Sequence, residues 1–174
     1  MFRITRKEGD NGQALLDIDI LNVKSNFFGY LINTSRLYWR EETELPFGDD
    51  REASAAYIKA HPFCIDGEGL QPYEIAEQKQ NLINKIFTFG YMLHRYKDYA
   101  RCWAPMAMDN KIGEEDECNG RSGKSFFFKT LSFLVNTVKL SGRNPKLMDN
   151  PHVFEMVSQF TGILLIDDCD KYLN

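Results

Sequence analysis

The residues best able to do chemistry lie in ECNGRSGKSFFFKTL, positions 117–131. Within it, Gly120-Arg121-Ser122-Gly123-Lys124-Ser125 has the makings of a phosphate-binding loop. Phosphate oxygens need several backbone N–H groups converging on one point, and glycines allow the backbone angles and the close approach that this requires. A helix beginning at Lys124 adds the positive end of its dipole. Lys124 would reach the β- and γ-phosphates, and the Ser125 hydroxyl would sit on Mg²⁺. Asn119, Arg121 and Ser122 fall in the loop, where Asn119 can stabilise its geometry. The usual pattern begins with glycine, but Cys118 stands there. Taken alone, Gly-Lys-Ser also fits a solvated helix start.

A second group of residues is ILLIDD, positions 163–168. An aliphatic strand of this kind carries Asp167 to the C-terminal edge of a parallel sheet, where the carboxylate can hold Mg²⁺ directly or through water. Asp168 beside it can orient or deprotonate an attacking water. Asp170 is a surface residue or an assistant. Alone, this is an aliphatic strand ending in an acidic turn. Together and in this order, the two motifs predict a Mg-ATP site: Lys124, Asp167 and Asp168 for catalysis, residues 119–125 for the nucleotide, and Ser125 with Asp167 for the metal.

Other reactive side chains are dispersed. Four cysteines, at 64, 102, 118 and 169, show no Cys-x-x-Cys spacing, and His61, His94 and His152 are scattered, which argues against a zinc site. Free thiols suit a reducing cytosol. Arg95, Lys97 and Arg101 form a basic, aromatic stretch that could touch DNA or phosphate, but a helix end with solvated charges explains them more simply. His94 reads as a helix-end residue, and Trp39 and Arg40 as packing and surface pairing.

The elements that must position these groups can be read from composition and periodicity. The chain has 174 residues, 43% of them hydrophobic and 26% charged, with net charge −4. That supports a globular core and gives no global argument for nucleic-acid binding. There is no signal-like N-terminus and no run of roughly 18 apolar residues, so a cytoplasmic protein with no membrane partner is expected. Residues 2–5 and 15–21 have strand character around Asn11-Gly12, a hairpin turn signal. Ser25 caps a helix expected to run to Trp39, with Phe28, Leu31, Ile32 and Tyr38 on one face. Residues 40–52 read as a charged surface connection, and 53–61 as a short helix before Pro62. The longest helix is expected over 71–96, with Ile75, Leu82, Ile86, Phe89 and Leu93 at helical spacing. Then come a short strand in 103–108, a polar loop over 109–122, a helix over 124–140 whose Phe126-Phe127-Phe128 run packs on the sheet, a loop over 141–151, a short helix or turn over 152–160, and a buried strand over 162–168. The expected fold class is α/β: a mostly helical region, 1–98, with an N-terminal hairpin, followed by an incomplete P-loop NTPase, 99–174, built as a parallel sheet with flanking helices.

With these residues assembled, the chain resembles the primase–helicases of phages and mobile elements, whose ATPase half is similar to superfamily-3 helicases. The resemblance is carried by "AMDNKIGE…NGRSGKSFF" and "VFEMVSQFTGILLIDDCD", and less specifically by "FFGYLINTSRLYWREE" and "NKIFTFGYMLHRYKD". It implies ATP and Mg²⁺ as cofactors, assembly into a homo-oligomeric ring, and single-stranded DNA or a replication fork as partner. It also implies a primase domain upstream. The chain stops at Asn174, before the sensor strand and arginine finger of such ATPases, so a fragment with weak or no turnover is expected. Cys118 and Asp168 depart from the family's usual Gly and Glu. A small P-loop kinase or switch protein, or a non-enzymatic remnant mediating protein association, are the rival readings.

Overall fold

The computed structural model describes residues 1–8, 14–94, 98–108, 123–143 and 150–167. They form a mixed helix-and-strand chain that divides into two compact units, Met1–Thr88 and Phe89–Asn174.

The first unit opens with strands β1 (Phe2–Glu8) and β2 (Ala14–Ile20), paired antiparallel with Ile4 opposite Ile18 and Arg3 opposite Asp19. Alternation puts Phe2 and Ile4 on one face with Ile18 and Ile20, and Ile18 is buried. The Asn11-Gly12 turn itself lies outside the described residues. Helix α1 (Asn26–Asn33) starts where expected, with the Ser25 hydroxyl accepting from Phe28 N. It is shorter than the sequence suggests. Thr34 Oγ1 donates to the Tyr30 carbonyl at 3.0 Å and Ser35 Oγ to that of Leu31 at 2.7 Å. Such side-chain bonds compete with the backbone for the last carbonyls. The chain turns, and Tyr38 leaves the α1 face to donate its N–H to Gln78 Oε1 at 3.1 Å.

The expected surface connection over 40–52 is also corrected: Trp39–Thr43 is a short helix, α2, and Glu42 and Thr43 on it are buried. Helix α3 (Arg51–Ala60) is capped by Asp50, whose carboxylate accepts from Ala53 N at 3.0 Å. Helix α4 (Pro72–Leu93) has proline in its first turn, where a missing N–H costs nothing. Of the expected face, Leu82 is buried and Leu93 exposed; Gln78 and Ile83 complete the buried side.

In the second unit, α5 (Lys124–Leu131) ends well before residue 140. The chain turns at 132–135, and Thr137–Ser141 becomes strand β3. The β-branched Val135, Thr137 and Val138 lose side-chain freedom in a helix and fit a pleated ladder instead. Phe127 and Leu131 are buried, while Phe126 is exposed. Strand β4 (Ile163–Asp167) runs parallel to β3, with Thr137 opposite Ile163 and Ser141 opposite Asp167. The Asn136 carbonyl accepts from both Gly162 N and Ile163 N, which sets where the ladder begins. The strand is less enclosed than expected: Ile163 is buried, but Leu164 is exposed. Residues 103–108 form no strand. A strand needs a neighbour for its backbone groups, and among the described residues of this unit only β3 and β4 pair. Trp103, Met106 and Met108 are exposed there. Residues 151–156 and 159–160 are turns rather than helix. No described helix is long and apolar enough to cross a membrane.

Candidate nucleotide and metal site

The site is assembled at the C-terminal end of the parallel pair. Gly123 sits at the N-cap of α5 with φ 81°, a left-handed conformation that L side chains rarely adopt. Its carbonyl accepts from Phe127 N and so closes the first turn. Lys124 is the first helical residue and Ser125 the second. From there Ser125 Oγ donates to Asp167 Oδ1 at 3.3 Å. Asp167 is the last residue of β4 and half-buried. It is held by the ladder, since Gly142 N donates to its carbonyl at 2.7 Å.

Two residues far apart in sequence, chosen for one metal, therefore meet. Both offer hard oxygen atoms, one neutral and one anionic. That suits Mg²⁺, which binds through one or two protein oxygens and keeps water and phosphate for its other positions. Among the described residues no group of three or more His, Cys, Asp or Glu forms a larger cage. Asn119, Gly120, Arg121, Ser122 and Asp168 lie outside the described residues, as do Cys118, Asp170, Arg95 and Lys97. Arg101 and His94 are exposed.

Sequence reasoning missed a polar cluster in the first unit. Arg36 and Glu42, both nearly inaccessible, form a two-armed ion pair: Nε donates to Oε2 at 3.1 Å and Nη2 to Oε1. The Arg36 guanidinium lies 4.4 Å from the Trp39 ring centre, and its Nη1 reaches the His61 carbonyl at 3.5 Å. Tyr57 donates its hydroxyl to Glu42 Oε1 and accepts from Glu68 N, both at 3.1 Å. Burial, with the neighbouring carboxylates, pushes the Tyr57 phenol upward. A Cβ on Gly67 would stand 2.2 Å from the Glu42 carboxyl carbon, so the loop passes where only glycine fits. Nearby, Lys85 donates to both oxygens of Thr34, and burial pulls its ammonium down to about 8. Arg40 pairs with Glu44 at 3.0 Å on the surface, in line with its expected role. The only sequence signal for the Arg36–Glu42 cluster was a charged run next to an aromatic, the same signal that solvated segments give.

No protein-family model, curated protein or solved structure matches this chain.

Proposed function

We propose that the second unit is the Mg-ATP-binding part of a P-loop ATPase, and that the chain belongs to a DNA-dependent motor of the primase–helicase kind. The observation that carries the nucleotide reading is the Ser125–Asp167 hydrogen bond. It joins a hydroxyl on the first turn of a helix that follows a glycine to a carboxylate at the end of a parallel strand. A chance Gly-Lys-Ser has no reason to face such a carboxylate. The motor reading rests on the resemblance of the sequence to that family.

In this reading the backbone of residues 119–123 cradles phosphate, and Lys124 neutralises the β- and γ-phosphate oxygens. Ser125 and Asp167 fix the metal's protein-side positions. Mg²⁺, when bound, neutralises charge on the transferring phosphoryl group. Asp168 orients the attacking water and accepts its proton. Assembly into a ring and contact with single-stranded DNA belong to the same proposal. Charge stabilisation from a neighbouring subunit is part of the rate in such assemblies.

Titration of Mg-ATP against this chain and its Lys124→Ala variant tests the reading. Saturable binding is expected for the parent, weakened at least about tenfold by the substitution, since a charge-assisted contact to phosphate is lost. Equal binding by both, or none by either, would refute it.

A further inference from the structure

The first unit has a cleft of about 290 Å³ that the nucleotide reading does not use. Ile18, Asp19 and Ile20 of β2 line one side, and residues 63–66 line the other, together with Lys79 of α4. Successive strand residues point to opposite faces, so a cleft that touches all three follows the edge of the strand rather than either face. That edge is the free one: among the described residues β2 pairs with β1 alone. Leu21 N donates to the Met1 carbonyl at 3.0 Å, one step beyond the Phe2–Ile20 pair, so Met1 and Leu21 are a hydrogen-bonded pair. Alternation then turns the N–H and C=O of Ile20 and Ile18 away from β1. In keeping with this, Ile18 N donates to the Asp17 carboxylate at 2.9 Å. The opposite wall is held from behind. Gln78 Nε2 donates to the Ile65 carbonyl at 2.8 Å, and the Phe63 ring lies where a Cβ on Gly29 would stand 2.6 Å from it. Phe63 has φ 59°, a left-handed conformation unusual for an aromatic residue, and such a residue persists where its surroundings fix it.

We propose that this cleft docks an extended, basic peptide segment of a partner protein, which adds as a strand to the β2 edge at Ile20 and sets a lysine or arginine against Asp19 and Asp66. The inference stands apart from the nucleotide reading. An open edge beside a cleft recognises another backbone: main-chain bonds supply affinity, and alternate side chains enter the cleft. Charge sets the chemistry of those side chains. Asp19 and Asp66, both exposed, line the cleft against one ammonium, Lys79. That ammonium is divided, lying 3.5 Å from Asp66 Oδ1 and 3.5 Å from Asp17 Oδ1. Arg3 is the partner of Asp19 across the ladder, but among the described residues no ion pair joins them, and Arg3 does not line the cleft. The lining is therefore negative on balance, and a cation complements it. Ile18, Ile20, Phe63 and Ile65 give it apolar walls for the aliphatic stem of the same side chain. Asp17 is committed elsewhere: it pairs with Lys7 and Lys79 and accepts from Ile18 N. Because Asp17 occupies the Ile18 N–H, pairing is confined to the Ile20 end of the strand, which fixes the register of the added segment.

The test follows the fluorescence anisotropy of labelled, end-blocked hexapeptides, alternating valine with lysine or valine with glutamate, as the full chain is added. The lysine peptide is expected to bind at least about tenfold more tightly than the glutamate peptide. Asp19→Asn alone should weaken the lysine peptide about threefold, and Asp19→Asn combined with Asp66→Asn about tenfold, with circular dichroism to confirm that both variants fold. Methylating the backbone nitrogens of the peptide's valines, and in a second series those of its lysines, should abolish binding in one series only, since one set of N–H groups faces the β2 edge. Failure of the lysine peptide to bind, equal binding of the two peptides, or unchanged affinity in the doubly substituted protein would overturn the proposal. An equal effect of methylation in the two series would also overturn it. Butylamine competing as well as the peptide would assign the cleft to a small amine instead. Self-association of the chain that Asp19→Asn abolishes would assign the edge to a second copy, and either result would overturn the proposal.

Discussion

Glu42 and Asp167 are both carboxylates on short elements, but the two units treat them in opposite ways. Glu42 is sealed inside the first unit and accepts from Arg36 through both oxygens and from Tyr57 through one. Asp167 is half-buried in the second unit and, among the described residues, its side chain accepts from Ser125 at 3.3 Å. The first arrangement saturates the charge. Its geometry is shielded, and nothing from solvent can compete for it. The second leaves the side chain part-exposed at the end of its strand. A buried pair with every oxygen engaged is committed to the fold; a part-exposed carboxylate with one hydroxyl contact among the described residues is the one to which the proposed function gives a ligand. Charged residues in a sequence do not reveal which of these fates awaits them.

The sharpest way to break the contrast is to remove Glu42. Glu42→Ala strands the Arg36 guanidinium in a dry environment, and loss of one partner of a buried pair costs about 3–5 kcal/mol. Urea denaturation should show this as a large fall in midpoint. A loss below about 1 kcal/mol would mean that the cluster is far wetter than its burial indicates.

A smaller effect comes from Lys85. Its folded-state ionisation is held near 8 by burial, against 10.5 for the unfolded chain. Between these values the unfolded state binds more protons, so stability should rise as pH climbs from about 8 towards 10.5; below 8 both states are protonated and the burial penalty is constant. Lys85→Met should flatten that portion of the profile, measured as the difference from the parent so that other titrating groups cancel. An identical slope in both proteins would remove Lys85 as its source.

The smallest stability effect belongs to Ser125. Ser125→Ala should change stability by no more than about 1 kcal/mol, because a single partly exposed hydrogen bond is lost. It should nevertheless abolish the Mg²⁺-dependent gain in ATP affinity. If Ser125→Ala destabilised the protein as much as Glu42→Ala, the contrast between a structural and a functional carboxylate would fail.

How much was legible in the sequence tracks the same division. Local rules found the Ser25 cap, the paired opening strands, the proline-led α4, and Asp167 at a strand end, because capping, alternation and helical spacing act over a few residues. The Lys124–Ser125 helix start was legible too, but its length was not. Phe126 to Leu131 and Val138 to Leu140 both look apolar, and the switch between them depends on β3 finding β4 as a partner. The Arg36–Glu42 pair escaped because its energy comes from Tyr57, His61 and Gly67 closing around it. Those residues are distant in sequence, and no window around REET contains them. The strand expected at 103–108 failed for the converse reason: local propensity was present, and among the described residues a pairing neighbour was not.

Gly123 carries a consequence of a different kind. Its φ of 81° is a matter of handedness rather than of size. A residue of the mirror-image series would occupy that angle without strain, whereas alanine of the ordinary series would be forced against its own carbonyl. The entrance to the site is thus selected by chirality. Among ribosomally encoded residues the achiral one suits it best, and a chemically synthesised chain carrying D-alanine there would keep the turn into Lys124.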